Sequence, residues 1–440
     1  MDGSAVSIQL PEEFRARMRR QLGDELPAFL HALDEAPLRG IRLNPLKSTD
    51  AVRSYRDAEA IPWASDTYYL SADSKAGSSV LHEAGAFYIQ EPGAMIPAAV
   101  LNAKPGEKIL DLCAAPGGKS TQIGCAMKGE GLLVCNEPVP KRAQILSRNI
   151  ERMGLPNTVV TCAWPDRLAE QWPEGFDAVM ADVPCSGEGM FRREPETRTE
   201  WSAEKADGCV LRQREILAAA ARLVKPGGRM VYSTCTYHPA ENEGNANWFT
   251  EHFPEFRAEA FCLPGIDAPE GMFTCYPHRM KGEGQFAALF RKAGNSPAVL
   301  PPDQSLAKAA GEAIRAFEEV FKGFPRATHM FGKTIISIEE LPDLKGIRTL
   351  RIGLHLGEIR GKTVVPDHAA ALCFSAPEMQ AVEMRPEEAV RFAAGEAIPG
   401  DAAGWTLMRY RGLNTGWGKG SEGIIRNHYP KGLRGVHFNP

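Results

Sequence analysis

The 440-residue chain has no run of eighteen uncharged apolar residues, and its first residues, MDGSAVSIQLPEEF, lack a basic segment followed by an apolar stretch. Neither a membrane span nor an export leader is therefore signalled, and a cytoplasmic protein without a membrane partner is expected. Ten cysteines fall at irregular intervals with no CxxC pair, which disfavours a zinc site and a disulfide framework and leaves free thiols as the expectation. Repeats and low-complexity tracts are also absent. A net charge of −4 excludes a general polycation. Charge is nevertheless segregated: from Gly404 to Pro440 there are six Lys or Arg and one acid. That basic end suits a phosphate backbone and, equally, a solvated surface.

With 43% hydrophobic and 24% charged residues, the chain can bury cores in two to four domains. Residues 8–36 have helical periodicity, with Phe14, Met18, Leu22, Phe29 and Leu33 on one side and the basic run RARMRR interspersed. From residue 70 short apolar runs alternate with helical stretches. KILDLC, GLLVCNEP, NTVVTC, FDAVMADVPC and GRMVYSTCTY read as strands, separated by patterns such as KRAQILSRNIERMG and CVLRQREILAAAARLV. This alternation over about 180 residues predicts an α/β fold with a doubly wound, mainly parallel sheet and ligands at the carboxyl ends of its strands. FAALFRKAG reads as a closing edge strand, and AGNSPAVLPPDQS as a linker, with a boundary near 292–305. Beyond it come a helix in AKAAGEAIRAFEEVF, strands around KTIISI and TLRIGLHLGEIR, a charged helix at PEEAVRFAAG and a Gly-rich, aromatic, basic tail.

The first strand of this series runs into DLCAAPGGKST, residues 111–121, where glycines allow backbone N–H groups close to a ligand. Gly118, Lys119 and Ser120 end a phosphate-loop pattern whose opening glycine is replaced by Cys113, and Ala-Pro-Gly-Gly does not supply the dinucleotide pattern G-x-G-x-x-G. Glu137 ends the second strand 20 residues beyond Gly117, where an acid can accept both hydroxyls of a ribose. Turn and acid together favour a nucleoside over a mere surface carboxylate. The fourth strand delivers Asp182, Pro184 and Cys185, and the fifth delivers Cys235, to the same end of the sheet. Cysteines within strands are usually small buried hydrophobes, which is the reading for Cys125, Cys135, Cys162, Cys209, Cys262 and Cys373. Cys185 and Cys235 instead sit in turns at strand ends, as candidate nucleophiles do. No metal is implied, because His238, Glu241 and Glu243 lack a convincing ligand set and read as a helix start.

These motifs resemble, in sequence and order, those of the NOL1/NOP2/Sun family of RNA 5-methylcytosine methyltransferases. The match spans roughly 80–290, through YIQEPGAMIP, DLCAAPGGKST, VCNEP, ADVPCSGEGMFRR and YSTCTYHPAENE. The tail GWGKGSEGIIRNHYPKGLR is similar to the PUA-like region of bacterial enzymes of the RsmF type. The resemblance implies a Rossmann-like class I methyltransferase with S-adenosylmethionine as cofactor. Its methionine portion would be held by Cys113, Ala114, Ala115, Pro116, Gly117, Gly118 and Lys119, its ribose by Glu137, and Asp182 would border cofactor and target base. Cys235 would be the nucleophile, with Cys185 and Asp182 as its catalytic partners. At the place where the family often carries an acid for the adenine, this chain has Trp164, with Asp166 two residues on. The implied layout is an N-terminal helical or RNA-binding region over 1–70, the methyltransferase domain over 71–295, a linker over 296–310 and a C-terminal RNA-binding region over 311–440. RNA is the implied partner, most naturally 16S rRNA or the small ribosomal subunit, and a monomer is expected. Trp405, Trp417 and Tyr429 among Arg409, Arg411, Lys419, Arg426, Lys431 and Arg434 are of types that stack on bases and meet phosphates, Trp405 being the best candidate for a core position. Arg15, Arg17, Arg19 and Arg20 offer a second basic surface. The competing readings are the same chemistry on tRNA, a methyltransferase acting on DNA, protein or a small molecule, and a nucleotide-binding factor without catalysis.

Overall fold

The computed structural model describes residues 9–47, 50–361, 363–373, 379–435 and 439. The first residue of the expected N-terminal helical pattern, 8, and residues 436–438 and 440 of the basic tail lie outside them. The pattern itself forms two helices, α1 (Glu12–Leu22) and α2 (Leu26–Asp34). They part where Gly23 takes φ 54° and where Pro27 starts a new helix with its ring in the first turn. All five apolar residues named above are buried.

A three-stranded antiparallel sheet follows, with β1 (Arg39–Leu43) between β2 (Thr67–Leu70) and β3 (Phe87–Gln90). The expected boundary after residue 70 therefore cuts through a sheet, because β3 pairs with β1 from Gly40↔Gln90 to Leu43↔Phe87. Long-range pairing of this kind leaves no local trace.

The central sheet has nine strands. Five parallel strands form its middle: β4 (Lys108–Asp111), β5 (Leu132–Asn136), β6 (Thr158–Thr161), β7 (Phe176–Asp182) and β8 (Val224–Thr234), in the order β8-β7-β4-β5-β6. Their apolar runs are continuous because both faces are buried under helices. The order in which strands are added reverses at β4, with β5 and β6 on one side and β7 and β8 on the other, which puts a crevice at the carboxyl ends of β4 and β7. After β9 (Phe256–Ala258) and the hairpin β10 (Phe261–Leu263) and β11 (Ile266–Ala268), β12 (Met272–Cys275) and β13 (Gln285–Lys292) extend the sheet. The expected edge strand β13 is internal: it pairs with β8 on one side and with β12 and β9 on the other.

The expected linker over 296–310 is tied down. Asp303 accepts from the backbone N–H groups of Ser305, Leu306 and Leu344, and Ala309 N–H donates to Thr328. A helix covers Glu312–Val320, shorter than the periodic segment suggests. β14 (His329–Phe331), β15 (Thr334–Ser337), β17 (Leu354–Arg360) and β18 (Thr363–Pro366) form a four-stranded sheet, whereas β16 (Thr349–Ile352) leaves it and pairs antiparallel with β6 at the edge of the central sheet. The segment TLRIGLHLGEIR thus supplies two strands to two sheets, parted at Gly353. Five strands close the fold: β19 (Ala381–Glu383), β20 (Ile398–Pro399), β21 (Gly404–Tyr410), β22 (Leu413–Ser421) and β23 (Ile424–Asn427), ordered β19-β21-β22-β23-β20.

Gly353 has φ +56°, and a Cβ there would lie 2.3 Å from the Ser337 carbonyl oxygen. Both strain and collision oppose a side chain. Gly353→Ala is expected to destabilise the protein by about 2–4 kcal/mol, read from the urea midpoint; an unchanged midpoint would show that the two sheets are not rigidly joined there.

Candidate active site

The turn after β4 bonds to the ends of β5 and β7. Gly117 takes φ +114° as the cap of the helix Gly118–Met127, and Ala114 N–H donates to Asn136 O at the end of β5. Asp111, at the end of β4, is fully buried and accepts from Ser120 Oγ at 2.6 Å through Oδ2, while its Oδ1 has no hydrogen-bond partner among the described residues. Burial pushes this carboxyl up to about 7 although Ser120 donates to it. Glu137 follows β5, buried, with Oε1 accepting from Val139 N–H and Oε2 3.3 Å from Arg142. Arg142 also donates to Ala115 O at 3.0 Å, joining the acid to the turn.

Asp182 ends β7. Its Oδ2 accepts from Lys119 Nζ at 2.8 Å and its Oδ1 from Ser233 Oγ at 2.6 Å. Burial opposes the Lys119 charge, but Asp182 overrides it and raises the lysine above its ordinary pKa. Cys185 and Cys235, fifty residues apart in the chain, bring their sulfurs to 3.1 Å, and Cys235 N–H points at Cys185 Sγ at 3.3 Å. The neighbouring Cys235 sulfur, burial and Glu241 together push the Cys185 thiol well above its usual range.

Two cavities, of about 390 and about 660 Å³, share Cys113, Ala115 and Asp182 in their walls. The smaller is also lined by Asp111, Pro116, Gly118 and Lys119; the larger by Glu137, Trp164, Asp166, Cys185 and Cys235. Every site residue expected from the sequence therefore lies in or beside one crevice, except that the backbone of Gly117 acts as the helix cap behind it. Trp164 is 72% exposed at the rim. Of the cysteines read as buried, Cys125, Cys135 and Cys373 are so, Cys162 and Cys209 are half-buried, and Cys262, on the short hairpin strand β10, is exposed because little packs over it. Glu241 proves to be a buried positioning group: its Oε2 accepts from Ser186 N–H at 3.0 Å and Gln213 Nε2 at 2.8 Å. The helix begins only at Glu243.

Four contributors escaped the sequence reading: Asp111, Arg142, Ser233 and the pair Arg17–Glu188. Arg17 turns inward from α1 to bond Glu188, and donates to Tyr237 O at 3.2 Å, so it does not belong to the basic surface kept by Arg15, Arg19 and Arg20. Its helical position, beside the buried Phe14 and Met18, is the only signal that could have separated it.

The crevice at the sheet reversal, with its carboxylate after β5, defines a Rossmann-like class I methyltransferase. Comparison with known proteins gives the family. The model of 16S rRNA methyltransferase RsmB/F matches residues 98–291, and models of the RsmF N-terminal domain, first C-terminal domain and PUA domain match 10–92, 317–374 and 380–435. Ribosomal RNA small subunit methyltransferase F of Escherichia coli strain K12 is 30% identical, the alignment covering 97% of this chain and 97% of its own; the protein of that description from Shigella boydii serotype 18 matches equally. Among solved structures, a methyltransferase homolog from Pyrococcus horikoshii is 26% identical over 65% of this chain and 96% of its own, with a TM-score of 0.56. NSun6 from the same organism, 20% identical over 65% and 99%, has a TM-score of 0.56 and shares the fold. The chain belongs to the RsmF family. It is an RNA methyltransferase that takes its methyl group from S-adenosylmethionine.

The residues fit that cofactor: the unpartnered Oδ1 of Asp111 can accept from its ammonium group, and buried Glu137 from its ribose. A bound ammonium favours ionised Asp111, whereas the free protein holds the proton below about 7. Affinity for S-adenosylhomocysteine is expected to weaken by up to about tenfold per pH unit below 7 and to become flat with pH in Asp111→Asn, measured by calorimetric titration. A wild-type affinity independent of pH between 6 and 8 would remove Asp111 from this role.

Proposed function

We propose that the chain methylates carbon 5 of a cytosine in RNA, most naturally 16S rRNA, through a covalent adduct of Cys235 at carbon 6. The observation that carries this reading is the 3.1 Å approach of two thiols from separate strand ends, at the wall shared with the cofactor turn. Transfer to an amine or oxygen needs neither thiol, whereas carbon 5 of cytosine becomes nucleophilic only when the ring's aromaticity is broken.

In this mechanism Cys235 reacts as the thiolate, its proton lost to solvent beforehand: Sγ adds to carbon 6, and the electron pair of the 5,6 double bond moves towards carbon 5 and the N3 side of the ring. Asp182, fixed by Lys119 and Ser233, accepts from the exocyclic amino group of the cytosine and so aligns the ring. Cys185 begins as the proton-bearing thiol and gives its proton to the ring as the charge builds. S-adenosylmethionine supplies an electrophilic methyl on a sulfonium. Cys185, now a thiolate made strongly basic by burial, takes the proton from carbon 5; the carbon–sulfur bond at carbon 6 breaks, its pair returns to Cys235, and the ring's extra proton leaves to solvent. Reaching the thiols demands an unpaired or extruded cytosine, at about a few kcal/mol. We further propose that the N-terminal and C-terminal regions grip the flanking RNA, and that the chain works as a monomer in the cytoplasm.

The test is methyl transfer from labelled S-adenosylmethionine to rRNA of a strain lacking this gene, resolved by denaturing gel. Cys235→Ala should lose both 5-methylcytosine and any protein–RNA band. Cys185→Ala should accumulate a covalent protein–RNA band that the wild type does not retain. Normal turnover by Cys185→Ala would overturn the division of labour, and no transfer by the wild type to free or subunit-assembled rRNA would overturn the acceptor.

A further inference from the structure

The C-terminal five-stranded sheet aligns a row of side chains across three strands. Trp405 on β21 stands opposite Lys419 on β22, and Lys419 stands opposite Arg426 on β23. Directly opposed residues project from the same face of an antiparallel sheet, and His428 follows Arg426 by two residues. Trp405 is half-buried, while Lys419, Arg426 and His428 are exposed. Lys419 Nζ lies 5.3 Å from the Trp405 ring centroid, and the His428 ring 4.5 Å from it at 68°. Partial burial, and then the charges of Lys419, Arg360 and Arg434, hold His428 below its usual pKa. Arg360 is engaged by Glu358 and Arg434 by the Tyr429 carbonyl. Among the described residues, neither Lys419 nor Arg426 has a carboxylate partner.

A half-open indole beside two cations that lack carboxylate partners, Lys419 and Arg426, fits a polyanion that offers flat, unpaired bases. We propose that this row binds a single-stranded segment of RNA flanking the target, one base stacking on Trp405 and adjoining phosphates meeting Lys419 and Arg426; the proposal rests on the reading of rRNA as the substrate. Unpaired bases present a π-face that a duplex keeps inside its stack. Lys419 is within reach of both the ring and a phosphate beside a base laid on it. The other two aromatics expected to stack are unavailable: Trp417 is 1% exposed, and Tyr429 is buried beside Phe392.

The experiment uses the full chain and fluorescein-labelled RNA of about twelve nucleotides, single-stranded or as a duplex, with binding read by anisotropy across salt concentrations. Trp405→Ala should weaken single-strand binding about tenfold and leave duplex binding unchanged, with Trp405→Phe retaining most of it. Lys419→Ala with Arg426→Ala should weaken both and flatten the dependence of log Kd on log salt by roughly one phosphate contact or more. S-adenosylhomocysteine affinity should stay at the wild-type value in all variants, which reports an intact fold. If the charge variant and Trp405→Ala bind both RNAs like the wild type while the wild type methylates rRNA, this surface is not an RNA contact. If the wild type methylates no rRNA, the functional reading fails and this surface with it.

Discussion

The carboxylate of Asp182 is the tie on which the crevice depends. It receives Lys119 from the helix after β4 and Ser233 from β8, so one side chain fixes three adjacent strand ends. The backbone repeats the tie, with Leu112 N–H donating to Met180 O and Val183 N–H to Ser233 O. Hydrogen bonds to an ionised group contribute about 1.5–3 kcal/mol each, more than neutral ones, but the pair with Lys119 opens partly onto the cavity and counts for less than a dry pair. Its larger consequence is geometric. The turn from Cys113 to Lys119, the loop of Cys185 and the loop of Cys235 all depart from points that cannot drift apart independently.

The loops are finished from outside the methyltransferase sheet. Glu188, three residues after Cys185, is fully buried and takes Arg17 from α1, Trp201 Nε1 at 3.0 Å and Tyr237 N–H at 3.2 Å, the last from the loop of Cys235. Gly189 N–H donates to Cys235 O at 2.9 Å, and a Cβ on Gly189 would meet Gly284 O at 2.4 Å and Cys235 O at 2.9 Å, so the glycine lets the loop of Cys185 close on both the loop of Cys235 and the segment before β13. A buried carboxylate deprived of its cation costs about 3–5 kcal/mol. The N-terminal helix is therefore part of the thiol site's scaffold as well as a neighbour of it, and Arg42 does the same for the cofactor turn by donating to Gly118 O and Thr121 Oγ1.

What was legible in the sequence is what local pattern encodes. The parallel strands read as apolar runs because both faces are covered, and their ends read as ends because Glu137, Asp182 and Cys235 interrupt apolar stretches. Position at the carboxyl ends of such strands then brought acids and thiols to one crevice. Pairing was not legible. β3 joins the N-terminal sheet and β16 joins the central one through partners far away in sequence, and a single glycine at 353 decides that the segment TLRIGLHLGEIR serves two sheets. Asp111 was hidden for a different reason: an acid closing an apolar strand looks like any strand end until its unpartnered oxygen is seen against the cavity.

Side-chain type overstated the RNA-facing surface, and the reason is cover. Leu407 and Trp417 lie on the same face of the C-terminal sheet as Trp405, yet they are sealed beneath Phe321 and the helix before it, while Trp405, nearer the strand's start, emerges from the edge of that cover. Trp405, the best core candidate, packs half-buried at the rim of that core, whereas Trp417 and Tyr429, offered as base-stacking types, are fully covered. Arginines divide in the same way. Arg409 donates to Asn414, Arg434 to the Tyr429 carbonyl and Arg17 to Glu188, so their charge is already directed into the protein. A basic stretch in this chain is therefore not one electrostatic surface. Only those cations whose donors remain unengaged can exchange water and counterions for phosphate, and the strand register, which decides them, is a property of the fold and not of composition.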